Sequence, residues 1–132
     1  MMSQISKVFL IEDDVVTTFL IKTLMEKLSF ASEIFTYPNG SEALTALQSS
    51  EQLPELLFLD LNMPVMDGWQ FLDTIQTITP ISHIPIYILT SSIDPSDKSK
   101  SLSFPNVKGY LVKPLGPKDL HQIQTSRIQK ET

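Results

Sequence analysis

Four short stretches hold the residues best able to do chemistry: Glu12-Asp13-Asp14, Asp60, Thr90-Ser91-Ser92 and Lys113-Pro114. Each stands at the end of a short apolar run. Brought together, the carboxylates would repel one another in the absence of a cation. A small hard cation with oxygen ligands answers that repulsion. Magnesium fits, because it keeps several waters and takes one or two carboxylates plus phosphate oxygens. Lys113 adds a point positive charge and Thr90 a hydroxyl donor. The set describes a site for a phosphoryl group beside a nucleophilic carboxylate. Taken singly, each residue has a plainer reading. Asp14 stands where a helix N-cap belongs. Asp67 before Gly68 reads as turn or cap chemistry. A lone Thr after a strand is usually a turn residue, and a lone Lys usually a surface one. His83 and His121 lack metal-ligand spacing and receive no role. The weight lies in four strand ends that each carry the right group.

The elements that must position these groups follow from the apolar pattern. The first run is Val8–Ile11. Val16, Phe19, Leu20, Leu24 and Leu28 then recur at helical spacing, which predicts a helix over about 15–29. Ile34–Tyr37 is the second run and ends at the turn Pro38-Asn39-Gly40. Ala43, Leu44 and Leu47 make one face of a short helix, with Ser41 as its expected cap. Leu56–Leu59 stops at Asp60, and Phe71, Leu72, Ile75 and Ile78 form the next helix. Pro85–Leu89 ends at Thr90, and a poor, Ser-rich helix is expected over about 95–103. Tyr110–Val112 is the fifth run, and Leu120, Ile123 and Ile128 mark a last helix. This is β-α repeated five times. Apolar runs that do not alternate predict strands of a parallel sheet buried on both faces, with helices on both sides and ligands at the carboxyl ends of the strands.

Composition narrows the function classes. The chain has 132 residues and no cysteine, which excludes disulfide scaffolds, zinc-thiolate sites and thiol catalysis. No apolar run reaches membrane-spanning length, and the N-terminus MMSQISK lacks the apolar core of a signal peptide. A cytoplasmic location without membrane attachment is the expectation. Residues 1–97 carry 13 acids and 3 bases, net −10; residues 98–132 carry 2 acids and 7 bases, net +5. The acidic part disfavours direct nucleic-acid binding. The basic part is either a solvated face or a partner surface.

The stretches VFLIEDD (8–14), LLFLDLNMPVMDG (56–68), IYILTSS (86–92) and GYLVKPL (109–115) resemble the receiver domain of two-component response regulators, of the chemotaxis-receiver type. The resemblance spans about residues 7–126. It implies a flavodoxin-like (βα)5 doubly wound parallel sheet of order 2-1-3-4-5 and a receiver over 7–128, with short tails at 1–6 and 129–132. It implies that Asp60 is the phosphoacceptor and Asp13 a direct Mg2+ ligand. Glu12 would act through water, and the backbone carbonyl of Asn62 would complete the protein ligands, with Mn2+ as the substitute ion. Thr90 would bond a phosphoryl oxygen, Lys113 would pair with the phosphoryl group or Asp60, and Tyr110 matches the aromatic switch position. The Lys113–Pro114 peptide would be cis. Two departures stand out: Glu12 replaces the commoner Asp, and Gln70 stands where an acid often follows.

The activity so implied is that of a stand-alone switch and not of an enzyme. A sensor histidine kinase or phosphotransfer protein would phosphorylate Asp60, and the surface of the fourth helix, fifth strand and fifth helix would then bind or release an unknown protein target. Lys98, Lys100, Lys108, Lys118, Arg127 and Lys130 fall in that segment and are expected to contribute to it. The alternatives are a phosphorelay intermediate and a docking module that works without phosphorylation. A magnesium-dependent phosphohydrolase would need a second acid where Asn62 stands, and a flavin module would have its phosphate repelled by Glu12-Asp13-Asp14.

Overall fold

The computed structural model describes residues 5–131, with side chains described as far as residue 127. The elements run β1 (Ile5–Ile11), α1 (Val15–Lys27), β2 (Ala31–Tyr37), α2 (Gly40–Ser49), β3 (Leu56–Leu59), α3 (Gly68–Ile75), a short 3-10 turn (Ile81–His83), β4 (Ile86–Thr90), α4 (Pro95–Leu102), β5 (Val107–Val112) and α5 (Pro117–Glu131). All pairings are parallel and the order is β2-β1-β3-β4-β5. This is the flavodoxin-like arrangement implied by the resemblance.

The unbroken apolar runs serve two cores at once. Because successive strand residues face opposite ways, Phe9 and Ile11 of β1, Leu57 and Leu59 of β3, and Ile86 and Ile88 of β4 pack with Ala43, Leu47, Phe71, Leu72 and Ile75 of α2 and α3. Val8, Leu10, Leu56, Phe58 and Leu89 pack on the other side with Ile21 and Met25 of α1 and Leu120 and Ile123 of α5. The edge strands differ: β2 exposes Ser32, Glu33, Phe35 and Thr36. An ion pair from Arg127 to Glu55, whose Oε1 also accepts from Ser6 N–H at 2.7 Å, ties α5 to the start of the sheet. Among the described residues, no helix is long and apolar enough to cross a membrane.

Three local expectations change. The helix over 15–29 exists, but its buried face is Ile21 and Met25; Val16, Phe19, Leu20 and Leu28 are exposed. Apolar residues lie nearly all round α1, so spacing alone could not choose the buried side. The helix ends at Lys27 because Ser29 turns left-handed (φ 52°), and Ser29 N–H and Phe30 N–H close back onto the Glu26 and Met25 carbonyls at 3.1 and 2.9 Å. The cap of α2 is Asn39, which accepts from Glu42 N–H at 2.9 Å; Ser41 already lies in the first turn. The side chain of Ile128 lies outside the described residues. The peptides Thr79–Pro80 and Lys113–Pro114 are both cis.

Gly68, first residue of α3, sits where a Cβ would come within 2.5 Å of the Asp60 carbonyl oxygen and 2.7 Å of Leu61 Cα. Gly68→Ala therefore forces backbone apart at the end of β3. It is expected to lower stability by about 1–3 kcal/mol, read as a lower urea midpoint at unchanged slope. Gly116→Ala, whose Cβ meets nothing nearer than 3.8 Å, should lower it by clearly less.

Candidate functional site

Parallel strands deliver their carboxyl ends to one edge, and the polar residues collect there. Glu12 and Asp60 are buried, at 3% and 4% exposure, while Asp13 is open to solvent. One carboxylate oxygen from each of Glu12, Asp13 and Asp60 lies within 4.8 Å of the others. Asp60 is fixed by its own N–H donating to the Ile11 carbonyl at 3.0 Å, and its Oδ1 faces the Asn62 N–H at 3.3 Å. Lys113 follows β5, and its N–H donates to the Thr90 carbonyl at 2.8 Å. That aims its Nζ at the acids, in an ion pair with Glu12 and 3.5 Å from Asp60 Oδ2. Glu12 Oε1 has this ammonium against it but no partner in hydrogen-bond geometry among the described residues, while Oε2 accepts from Asp14 N–H at 3.0 Å.

Three clustered carboxylates, two of them buried, beside one ammonium leave excess negative charge, and an incompletely satisfied buried carboxylate oxygen faces it. An all-oxygen set of this kind fits a hard divalent cation. The electrostatics agree. Burial pushes the Glu12 carboxyl up to about 7, against the opposing pull of Lys113 and the Asp14 amide. Burial alone would lower Lys113, but the Glu12 and Asp60 carboxylates outweigh it and raise its pKa.

The neighbouring side chains divide by role. Asp14 is the N-cap of α1, accepting from the Thr17 hydroxyl at 2.6 Å and from Thr17 N–H at 2.8 Å, and these bonds lower its pKa. Asp67 caps α3, and Gln70 completes a reciprocal capping box by accepting from Asp67 N–H at 3.0 Å. Thr90 is fully buried, and its Oγ1 accepts from Ser92 N–H at 3.1 Å. Ser92 uses all its polar atoms: its hydroxyl donates to Asp97 at 2.7 Å, and its carbonyl accepts from the Tyr110 hydroxyl at 3.0 Å. The β4–α4 loop is thus tied to β4, α4 and β5 through one serine. Of the basic residues, Arg127 is paired with Glu55, and Lys100 lies over the Trp69 ring at 4.3 Å. Lys98, Lys108 and Lys118 are exposed, and the side chain of Lys130 lies outside the described residues. Sequence patterning did not reveal the exposed apolar face of α1. It flanks a groove of about 360 Å³ lined by Thr17, Leu20, Ile21, Ser91, Lys113, Pro114 and Leu115.

The family model for the response regulator receiver domain matches residues 8–125. The chain belongs to the response regulator receiver family. It is 33% identical over 117 residues to the "Probable methanogenesis regulatory protein FilR2" of Methanothrix harundinacea, covering 86% of this chain and 75% of that protein. Its fold matches a two-component response regulator from Cytophaga hutchinsonii with TM-score 0.82 at 29% identity, over 94% of this chain and 99% of that one. It also matches the Mn2+-bound form of the response regulator Rcp1, with TM-score 0.74 at 27% identity, over 92% and 90% of the two chains. The chain spans about half the length of several other curated relatives it matches. Receiver domains are signalling switches and not enzymes in the ordinary sense, and the Glu12, Asp13 and Asp60 cluster is typical of their phosphorylation and divalent-metal site.

Because protons compete with a cation for Glu12, divalent affinity should rise with pH. Glu12 is mostly protonated at about pH 6 and mostly ionised at about pH 8, so a calorimetric Mg2+ titration should show about tenfold tighter binding at the higher value. Glu12→Gln should flatten that dependence. Equal affinity at both values in the wild type would show that Glu12 does not titrate in the binding step.

Proposed function

We propose that Asp60 accepts a phosphoryl group from a phosphohistidine on a sensor histidine kinase or phosphotransfer protein, and that the chain relays this state through a protein-binding surface. The observation that carries this reading is the position of Asp60, buried at a strand end, near Glu12 and Asp13, with Lys113 Nζ 3.5 Å from its Oδ2. Mg2+ is the proposed ion, with Mn2+ able to replace it. Asp13, Asp60 and the Asn62 carbonyl would be its protein ligands, and Glu12 would act through water. Bound there, the ion supplies charge neutralisation for the carboxylates and the phosphoryl oxygens.

In the transfer step, an Asp60 carboxylate oxygen forms the O–P bond as the N–P bond breaks, and the electron pair returns to the imidazole. The Lys113 ammonium exchanges its carboxylate company for the equatorial phosphoryl oxygens, where charge must be balanced. Thr90 would donate its hydroxyl proton to one of those oxygens. Its Oγ1 now takes the Ser92 N–H, so a displacement toward the phosphoryl group loosens that bond. Tyr110, held by the Ser92 carbonyl, feels the loop shift, and with it the α4–β5–α5 surface. The exposed Val16, Phe19 and Leu20 face of α1, beside the groove that reaches Lys113, supports docking of the donor next to the site.

Intact mass after incubation with Mg2+ and acetyl phosphate tests the reading. Wild type should gain one phosphoryl group in a Mg2+-dependent manner, and Asp60→Asn should gain none. Failure of wild type to gain mass, together with no response to beryllofluoride, would move the protein to a docking role independent of phosphorylation.

A further inference from the structure

Asp97 stands outside the acidic cluster, yet it reaches the loop that follows Thr90. It lies in the first turn of α4, and its Oδ2 accepts from the Ser92 hydroxyl at 2.7 Å. Asp94 N–H donates to the same Ser92 Oγ at 3.2 Å, and Asp97 N–H donates to the Asp94 carbonyl at 3.1 Å. Ser92, Asp94 and Asp97 thus close a ring of hydrogen bonds. The serine–aspartate bond is the strongest of them, because a hydroxyl donating to a carboxylate makes a charge-assisted bond.

Apolar packing does little to hold α4. The helix runs only from Pro95 to Leu102, and the residue it buries is Ser101, whose hydroxyl donates to the Lys98 carbonyl at 2.9 Å. Leu102 is exposed. A helix this short, without a buried apolar face, is marginal by itself. Its polar contacts therefore matter, and the Asp97 contact joins it to the residue whose amide Thr90 holds.

Thr90 is what this ring restrains. Its buried Oγ1 accepts from Ser92 N–H at 3.1 Å. For the hydroxyl to approach a phosphoryl group on Asp60, Ser92 must follow it or give up that bond. Tyr110, whose hydroxyl donates to the Ser92 carbonyl at 3.0 Å, can swing with the loop on its own side chain. Asp97 has a short side chain fixed on helix backbone, so a displacement of Ser92 stretches the bond between them.

We propose that Asp97 is a positioning residue that, through the Ser92 hydroxyl, holds Thr90 back from the phosphoryl site and couples that site to α4. The proposal rests on the reading of Asp60 as phosphoacceptor. The bond opposes the phosphorylated state, so cutting it makes that state easier to reach and uncouples it from the helix.

The test is a double-mutant cycle in the full chain: Ser92→Ala, Asp97→Ala and the two together, with Asp97→Asn as the conservative variant. Ser92→Ala removes the hydroxyl and keeps both the Ser92 backbone groups and the Asp97 charge in the first turn of α4. Asparagine still accepts from the serine, through a weaker neutral bond. The probe is beryllofluoride with Mg2+, titrated by calorimetry, with acetyl phosphate labelling of wild type and Asp60→Asn followed in parallel by intact mass. Each alanine variant should bind beryllofluoride about fivefold more tightly than wild type, the effect of one hydrogen bond. The double variant should bind no more tightly than either single one, because both remove the same bond, and Asp97→Asn should stay nearer wild type. Hydrogen exchange over residues 95–102 should respond to beryllofluoride in wild type and not in Asp97→Ala. General loosening of α4 would not tighten binding, and effects from two independent sites would add. Unchanged or weaker binding in either alanine variant, additive effects in the double one, or an α4 response that survives in Asp97→Ala or is missing in wild type overturns the proposal; Asp60-dependent labelling of wild type then leaves the phosphoacceptor reading intact. A wild type that takes neither beryllofluoride nor a phosphoryl group removes that reading and the proposal together.

Discussion

The constraint on which the rest of the structure depends is electrostatic. Three carboxylates from two adjacent strand ends share a space less than 5 Å across with a single ammonium group. Such a group is held together only if its backbone is rigid, because side-chain repulsion would otherwise spread it apart. The parallel sheet supplies that rigidity. β1 and β3 are neighbours, so Glu12 and Asp60 emerge side by side, and Asp60 N–H is pinned to the Ile11 carbonyl. Lys113 comes from β5, two strands further on, and is held through the Thr90 carbonyl. The long lysine side chain spans a distance that the sheet sets.

Glu12 carries a central contact of the site. Its carboxylate makes the ion pair with Lys113, and Lys113 stands further from Asp60. The acid that would act through water on a metal is therefore also the resting partner of the lysine. Under the proposed metal role, a cation competing for Glu12 would release the ammonium toward Asp60. Burial raises the Glu12 carboxyl while Lys113 pulls it down, so the resting pair is held between opposing forces.

What could be read in the sequence follows from which forces act locally. The buried strands β1, β3 and β4 were legible because residues facing two cores must be apolar at every position. β2 was less so, since this edge strand leaves most of its residues in solvent and its seven residues contain only a four-residue apolar-looking run. The orientation of α1 was not legible: Val15, Val16, Phe19 and Leu20 are as hydrophobic as Ile21 and Met25, and the sheet decides which are covered. Asn39 outcompeted Ser41 as the α2 cap because Pro38-Asn39-Gly40 turns the chain two residues earlier. The strand-end acids, Thr90 and Lys113 were legible because the fold has one place for the ends of parallel strands. The pairing of Lys113 with Glu12 was not, since side-chain reach is settled only when both backbones are fixed.

The loops around the site divide between tight internal anchoring and outward display. Asp14 and Asp67 spend their carboxylates on helix caps, Gln70 closes a capping box, and Ser92 bonds to three different elements. These bonds fix the backbone of the loops after β1, β3 and β4, which leaves this part of the site few soft coordinates. One is the Thr90 hydroxyl, whose oxygen accepts the Ser92 amide and which, on the proposed function, would turn to a phosphoryl oxygen. Another is the Tyr110 hydroxyl, which depends on the same serine. Because both run through Ser92, a change at the buried end of β4 cannot be absorbed locally; it must appear at α4 and β5. A loop with a looser network would let Thr90 move without consequence. The dense bonding at Ser92 is thus what can turn a charge added at Asp60 into a change of shape at the far edge of the sheet.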